Sequence, residues 1–316
     1  LPLVGSVLLL GLLLWKTDRQ QVAAALAQAQ FGLFAAVVTA TSILVWLYDT
    51  ACLWWLLRAT LPGPPIGYRD LLAIKASSYV LNIVNYHAAA LGMAALVGRR
   101  KQVPFLQAAG ALAALSWLDL VTVSGMAVLG LWLAPEVLGG DLAAQRSLQW
   151  IGAAVFGVAL LLVLVLQTHC RWPPLQRLRA WAPVRPLAAL RPWSMLQGLV
   201  LRGGLIAAYT VAAVWVLRSF GLAPRWAPMF VIMPILTVVG TIPVSVSGLG
   251  TTQVLMERFY APFVVDGRAP TPVIDACSTA MIFGYIAVRL VIAAPFVRRV
   301  LAELNSGSEV EQGVAP

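Results

Sequence analysis

Nine ionisable side chains fall inside apolar runs of this 316-residue chain: Asp49, Lys75, His87, Asp119, Arg202, Glu257, Arg258, Asp275 and Arg289. At bilayer depth such groups are costly, so they pair with one another or serve a substrate or ion path. Lys75, Asp49, Arg258 and Asp275 lie near the ends of their runs, where a stem can carry the charge to the interface. His87 lies deeper, with Asn82 and Asn85 close by, and together they offer donors and acceptors for internal hydrogen bonds or for a ligand. Asp119 and Arg289 fall in corresponding late helices, as a buried pair or as groups that couple transport or hold a head group. Glu257 and Arg258 are adjacent and can pair with neighbours or reach a substrate.

Uncharged chemistry concentrates in Gly240–Gln253, inside the apolar run Met229–Met256. Pro243 removes a backbone donor, and Gly248 and Gly250 permit positive φ, so a helix must open or kink here. Open backbone survives in a bilayer only where protein buries it or a wet cavity faces it. Ser245, Ser247, Thr251, Thr252 and Gln253 supply donors beside that backbone. A helix starting after Gly250 would aim its positive end at the break, which favours phosphate or another anion.

These groups sit in an integral membrane protein. Hydrophobic residues make up 60% of the chain, only 11% is charged, and the mean hydropathy is +0.86. The net charge of +10 resides mainly between apolar runs, as topology signals do, and no basic and aromatic module points to nucleic acid. Cys52, Cys170, Cys277, His87 and His169 show no metal spacing, so neither metal nor cofactor is expected. No HExxH, GxSxG, paired-carboxylate or Walker pattern occurs, so an enzyme or a direct ATP-driven pump is not the expected reading.

Apolar segments are predicted at 1–15, 31–57, 70–97, 105–133, 148–167, 196–217, 227–259 and 271–297. The first is read as a retained membrane segment rather than a signal peptide. Thr17 to Gln30 has Val22, Leu26 and Ala29 at helical spacing, which suits an interfacial helix or a solvated linker. Trp15, Trp46, Trp54, Trp55, Trp132, Trp172, Trp181 and Trp193 fall near segment ends, as interfacial anchors do. Basic clusters at Arg99–Lys101, Arg171–Arg191 and Arg298–Arg299 are expected in the cytoplasm. That places Arg298–Arg299 inside only if 227–259 dips in and returns. Segment 70–97 is expected to do the same, with plain spanning as its alternative.

The fold expected is therefore an all-α membrane helix bundle of two inverted repeats, each with a re-entrant helical hairpin. The repeats are 1–133 and 148–299, with a periplasmic loop at 134–147 and a cytoplasmic, disordered tail at 300–316. Trp55-Leu56-Leu57-Arg58 before the first hairpin echoes Trp215-Val216-Leu217-Arg218 before the second. Inverted repeats with broken segments are a pointer to transporters.

Ile242-Pro243-Val244-Ser245-Val246-Ser247-Gly248-Leu249-Gly250 resembles the Pro-x-Ser-x-x-Gly-x-Gly signature of the flippase-like family that includes the lysylphosphatidylglycerol synthase transmembrane region. The likeness extends loosely to the linker after the first helix, to Asn82 and Asn85 before a basic loop, and to Asp119. It implies a bacterial inner-membrane protein that moves or binds a lipid with a bulky head group. Thr252-Gln253 stands where many relatives carry Arg-Glu, and Tyr86 to Gly92 replaces a motif with Pro and paired Gly. Ser116-Trp117 stands in place of a further charged pair. With no aminoacyl-transferase domain in the chain as given, lipid movement rather than lysyl transfer is expected. The binding set is then Pro243, Ser245, Ser247, Gly248, Gly250, Thr251, Thr252, Gln253, Asn82, Asn85, His87, Asp119, Glu257, Arg202 and Arg289. The expected partners are a membrane lipid, the bilayer itself and an enzyme of envelope-lipid synthesis. An intramembrane lipid-modifying enzyme and a non-transporting accessory subunit are the alternatives.

Overall fold

The computed structural model describes residues 19–84, 86–133, 142–168, 172–241, 251–265 and 267–312. They form helices α1 (Arg19–Gln28), α2 (Phe31–Thr60), α3 (Tyr68–Val84), α4 (Tyr86–Lys101), α5 (Phe105–Leu133) and α6 (Leu142–Gln167). Two short helices follow, α7 (Pro173–Ala180) and α8 (Arg185–Ala188). The last four are α9 (Pro192–Ser219), α10 (Trp226–Thr241), α11 (Thr251–Tyr260) and α12 (Pro270–Gln312). The fold is all-α, and among the described residues five helical stretches are long and apolar enough to cross a membrane: 31–60, 105–133, 149–167, 192–219 and 270–297.

Proline punctuates these helices. Leu61, before Pro62, takes φ −107° and ψ 129°, and α2 stops there. Pro192 occupies the first turn of α9, where a missing N–H costs nothing. The amphipathic stretch after the first predicted segment does fold, as α1, but it docks against α12 with Ala25 buried. The final helix continues to Gln312. Segment 1–15 and the loop 134–141 lie outside the described residues.

Both interrupted segments fold back on themselves. Helices α3 and α4 pack side by side, and the Asp70 carboxylate at the start of α3 pairs with Arg100 at the end of α4, 3.2 Å apart. At the same base, Gly63 has φ +93° and faces the Lys101 carbonyl, a place that admits no side chain. Burial, and then the neighbouring Arg58, holds the Lys101 ammonium below the ordinary lysine range. In the second segment α10 packs on α11, and Leu222 and Val264 form an antiparallel bridge across its base. Ala223 N–H donates to the Phe263 carbonyl at 2.8 Å, and Arg268 Nη2 donates to the Gly221 carbonyl at 2.8 Å. Gly221 holds φ +74° there, with the Arg268 guanidinium against it.

The packing relations of the first half recur in the second. Helix α2 packs on α3 as α9 packs on α10, and α4 packs on α5 as α11 packs on α12. Helix α5 lies against α10 of the other half, while α12 lies against α3. Helices α2 and α9 pack on each other at the centre. Two apolar clusters meet along this central pair. One holds Leu53, Leu56, Leu57, Leu71 and Leu118; the other holds Val38, Val214, Leu217, Ile232 and Ile274. Between them α2 carries Thr41, Ser42 and Asp49, and α9 carries Arg202, Tyr209 and Thr210.

A buried ion-pair chain as the candidate functional site

Helix α9 reaches its neighbours closely because Gly198 has no side chain. A Cβ there would lie 2.9 Å from Leu118 of α5 and 3.0 Å from Trp55 of α2. One turn later, Arg202 therefore stands within reach of both helices. Its Nε and Nη2 donate to the two oxygens of Asp119, and its Nη1 donates to Asp49. The second oxygen of Asp49 accepts from Lys75 Nζ of α3 at 2.5 Å.

The result is a neutral chain, Lys75–Asp49–Arg202–Asp119, that links α3, α2, α9 and α5. Asp49 and Asp119 lie near the middle of the 30-residue α2 and the 29-residue α5. A lone charge at such depth costs about 2.5–3.5 kcal/mol on insertion scales, and pairing offsets that cost. Arg202, Asp49 and Lys75 are 8%, 13% and 15% exposed, but Asp119 is 29% exposed, so the chain is open at its Asp119 end. Among the described residues no three His, Cys, Asp or Glu side chains lie together as metal ligands would.

Several expectations change. Asp119 pairs with Arg202, not with Arg289, because α5 faces α9 while α12 faces α3. Arg289 instead lies over the Tyr79 ring, 5.5 Å from its centroid. Lys75 and Asp49 do not snorkel; the fold-back of α3 onto α2 brings them together. Two of the supposed anchors, Trp46 and Trp54, fasten α2 to its hairpin by donating to the Leu72 and Ile66 carbonyls at 3.0 and 3.2 Å. Trp132, Trp172, Trp181 and Trp193 are exposed.

The remaining predicted residues are dispersed. Asn82 is half-buried late in α3, and His87 lies in the first turn of α4, while Asn85 falls outside the described residues. Thr251, Thr252 and Gln253 begin α11. Gln253 is buried and donates from Nε2 to Ser278 Oγ at 3.4 Å, while its Oε1 has no partner among the described residues. Glu257 is half-buried on the same helix. Pro243, Ser245, Ser247, Gly248 and Gly250, with the break expected of them, lie outside the described residues. Tyr79 and Tyr209 gave no signal in the sequence, since a tyrosine in an apolar run resembles any core aromatic.

The family model described as the lysylphosphatidylglycerol synthase TM region matches residues 1–302. No curated protein matches the chain.

Proposed function

The chain belongs to the lysylphosphatidylglycerol synthase transmembrane-region family, and from that premise we propose that it binds a lipid and moves it across the bacterial inner membrane. The observation that carries this reading is the ion-pair chain Lys75–Asp49–Arg202–Asp119, whose Asp49, Arg202 and Asp119 stand within helices long enough to cross a bilayer. Ionisable groups at that depth mark paths for substrates or ions, because apolar packing would serve stability at least as well.

The carrier is read as two inverted repeats, each with a re-entrant hairpin. Support comes from the closed bases of both interrupted segments and from the recurrence of helix pairs in the two halves. On this reading the hairpins enter from opposite faces, and head groups pass beside their tips while acyl chains stay in the bilayer. The lipid is a phospholipid, a polyprenyl-linked glycolipid or a polycyclic terpenoid lipid, supplied or used by an enzyme of envelope-lipid synthesis.

Purified protein in vesicles that carry a fluorescent phospholipid in one leaflet tests the proposal. The expected result is protein-dependent appearance of label in the other leaflet, with the lipid chemically unchanged. A changed lipid would show an intramembrane enzyme in its place. Neither movement nor chemistry, across phospholipid and polyprenyl substrates, would leave an accessory subunit.

A further inference from the structure

The same offset of 160 residues that carries Trp55 to Trp215 and Arg58 to Arg218 also carries Ser42 to Arg202 and Asp49 to Tyr209. Helices α2 and α9 run antiparallel: Tyr48 lies at Gly204, and Phe34 meets Phe220 edge to face with centroids 5.7 Å apart. Their contact thus has two comparable levels, separated by seven residues or about 10 Å along either helix. One level holds Asp49 and Arg202, joined by Asp119 from the helix after the first hairpin. The other holds Ser42 and Tyr209, and the helix after the second hairpin supplies Arg289.

That α12 delivers Arg289 to the second level follows from its contacts. Gly284 sits against Phe34 and Val38, and Phe296 lies 5.8 Å from Trp46, so Arg289 falls between them along α2. It overlies Tyr79 at 5.5 Å and lies within electrostatic reach of Tyr209 and Tyr285.

The two levels differ in chemistry. At the first, each cation meets a carboxylate. At the second, among the described residues, half-buried Arg289 has no carboxylate and no hydrogen-bond acceptor. Ser42 is 4% exposed, and its Oγ has no hydrogen-bond partner among the described residues. A planar guanidinium with hydroxyl donors around it matches a phosphate, and its positive charge disfavours an ammonium group. The exposed apolar side chains Phe283, Leu290 and Val291 lie on other faces of the same helix, a surface suited to acyl chains rather than to a free anion.

We infer that Arg289, shelved on Tyr79 and joined by Tyr209, Tyr285 and Ser42, seats the phosphate of an anionic lipid head group. This rests on reading the chain as a lipid carrier.

Native mass spectrometry of the full chain in detergent tests the seat, with phosphatidylglycerol and a diacylglycerol of the same acyl chains as probes. Arg289→Gln is expected to weaken phosphatidylglycerol binding on the order of tenfold and to leave diacylglycerol binding unchanged. Arg289→Lys keeps the charge but loses the fork, so it should weaken binding by about threefold and still fold if the glutamine variant does not. Wild-type affinity for phosphatidylglycerol in either variant would overturn the seat. Inorganic phosphate that binds as tightly as phosphatidylglycerol would overturn the lipid assignment. Leaflet-to-leaflet movement in vesicles is scored separately. Arg289-dependent binding without movement upholds the seat and removes the carrier; movement with Arg289-independent binding does the reverse.

Discussion

Arg202 and Asp119 meet fork to fork, with Nε and Nη2 of the guanidinium donating to the two carboxylate oxygens across 83 residues of chain. The pair ties α5 to α9, and Asp49 on the third nitrogen ties both to α2. Among the described residues Arg202 is thus shared between two carboxylates, Asp119 and Asp49, while Lys75 pairs with Asp49.

That difference predicts an order of stability. Arg202→Leu leaves half-buried Asp119 without its cation and Asp49 with one cation fewer, and should cost on the order of 3 kcal/mol, read from thermal unfolding in detergent. Lys75→Met leaves Asp49 with Arg202 and should cost about 1–3 kcal/mol. Adding Asp119→Leu to Arg202→Leu should recover part of the loss, because no orphaned carboxylate remains on α5. A double variant no more stable than Arg202→Leu would mean that Asp119 does not depend on Arg202.

The bases of the two hairpins should lie on opposite faces of the membrane. In a background without native cysteines, Ala223→Cys and Ala269→Cys flank the Leu222–Val264 bridge and should react alike with an impermeant thiol reagent from the periplasm. Pro64→Cys, in the loop before the first hairpin, should react only from the cytoplasm. Opposite labelling of 223 and 269 would replace the second hairpin with a crossing.

Head-group charge should be read by preference. At the second level Arg289 lies over the Tyr79 ring with no carboxylate beside it among the described residues. Phosphatidylglycerol should therefore bind better than its lysylated form by about 1–2 kcal/mol, since one cation or helix end and a few neutral donors supply the difference. Competition in nanodiscs measures this, and a clear preference for the lysylated lipid would contradict it.

Gly110 on α5 faces backbone rather than side chains. A Cβ there would come within 2.7 Å of Pro183 Cα, in the turn between α7 and α8. Gly110→Ala should lower stability by about 1–3 kcal/mol, because backbone cannot rotate out of the way. Gly157→Ala, with no atom within 4 Å of the added methyl, should leave thermal unfolding unchanged or raise it slightly.

The approximate spans of α2, α5 and α9 were legible in the sequence, to within a few residues at each end. Apolar run length, Pro62, Pro192 and the Pro/Gly cluster act locally, on the backbone of their own segment. The composition likewise decided that charges such as Asp119 need partners, because hydrocarbon offers none. The identity of those partners was not local. Arg202 and Arg289 are both arginines deep in late helices, and spacing along the chain does not distinguish them as mates for Asp119. The choice was made when Gly198 let α9 close on α5 and α2, while α12 turned its Arg289 toward Tyr79 on α3. Lys75 looked like an end-of-helix cation until the fold-back of α3 carried it to Asp49. Pairing in a bilayer is set by which helix faces approach within a few ångströms, and that approach depends on the shapes of all the helices together.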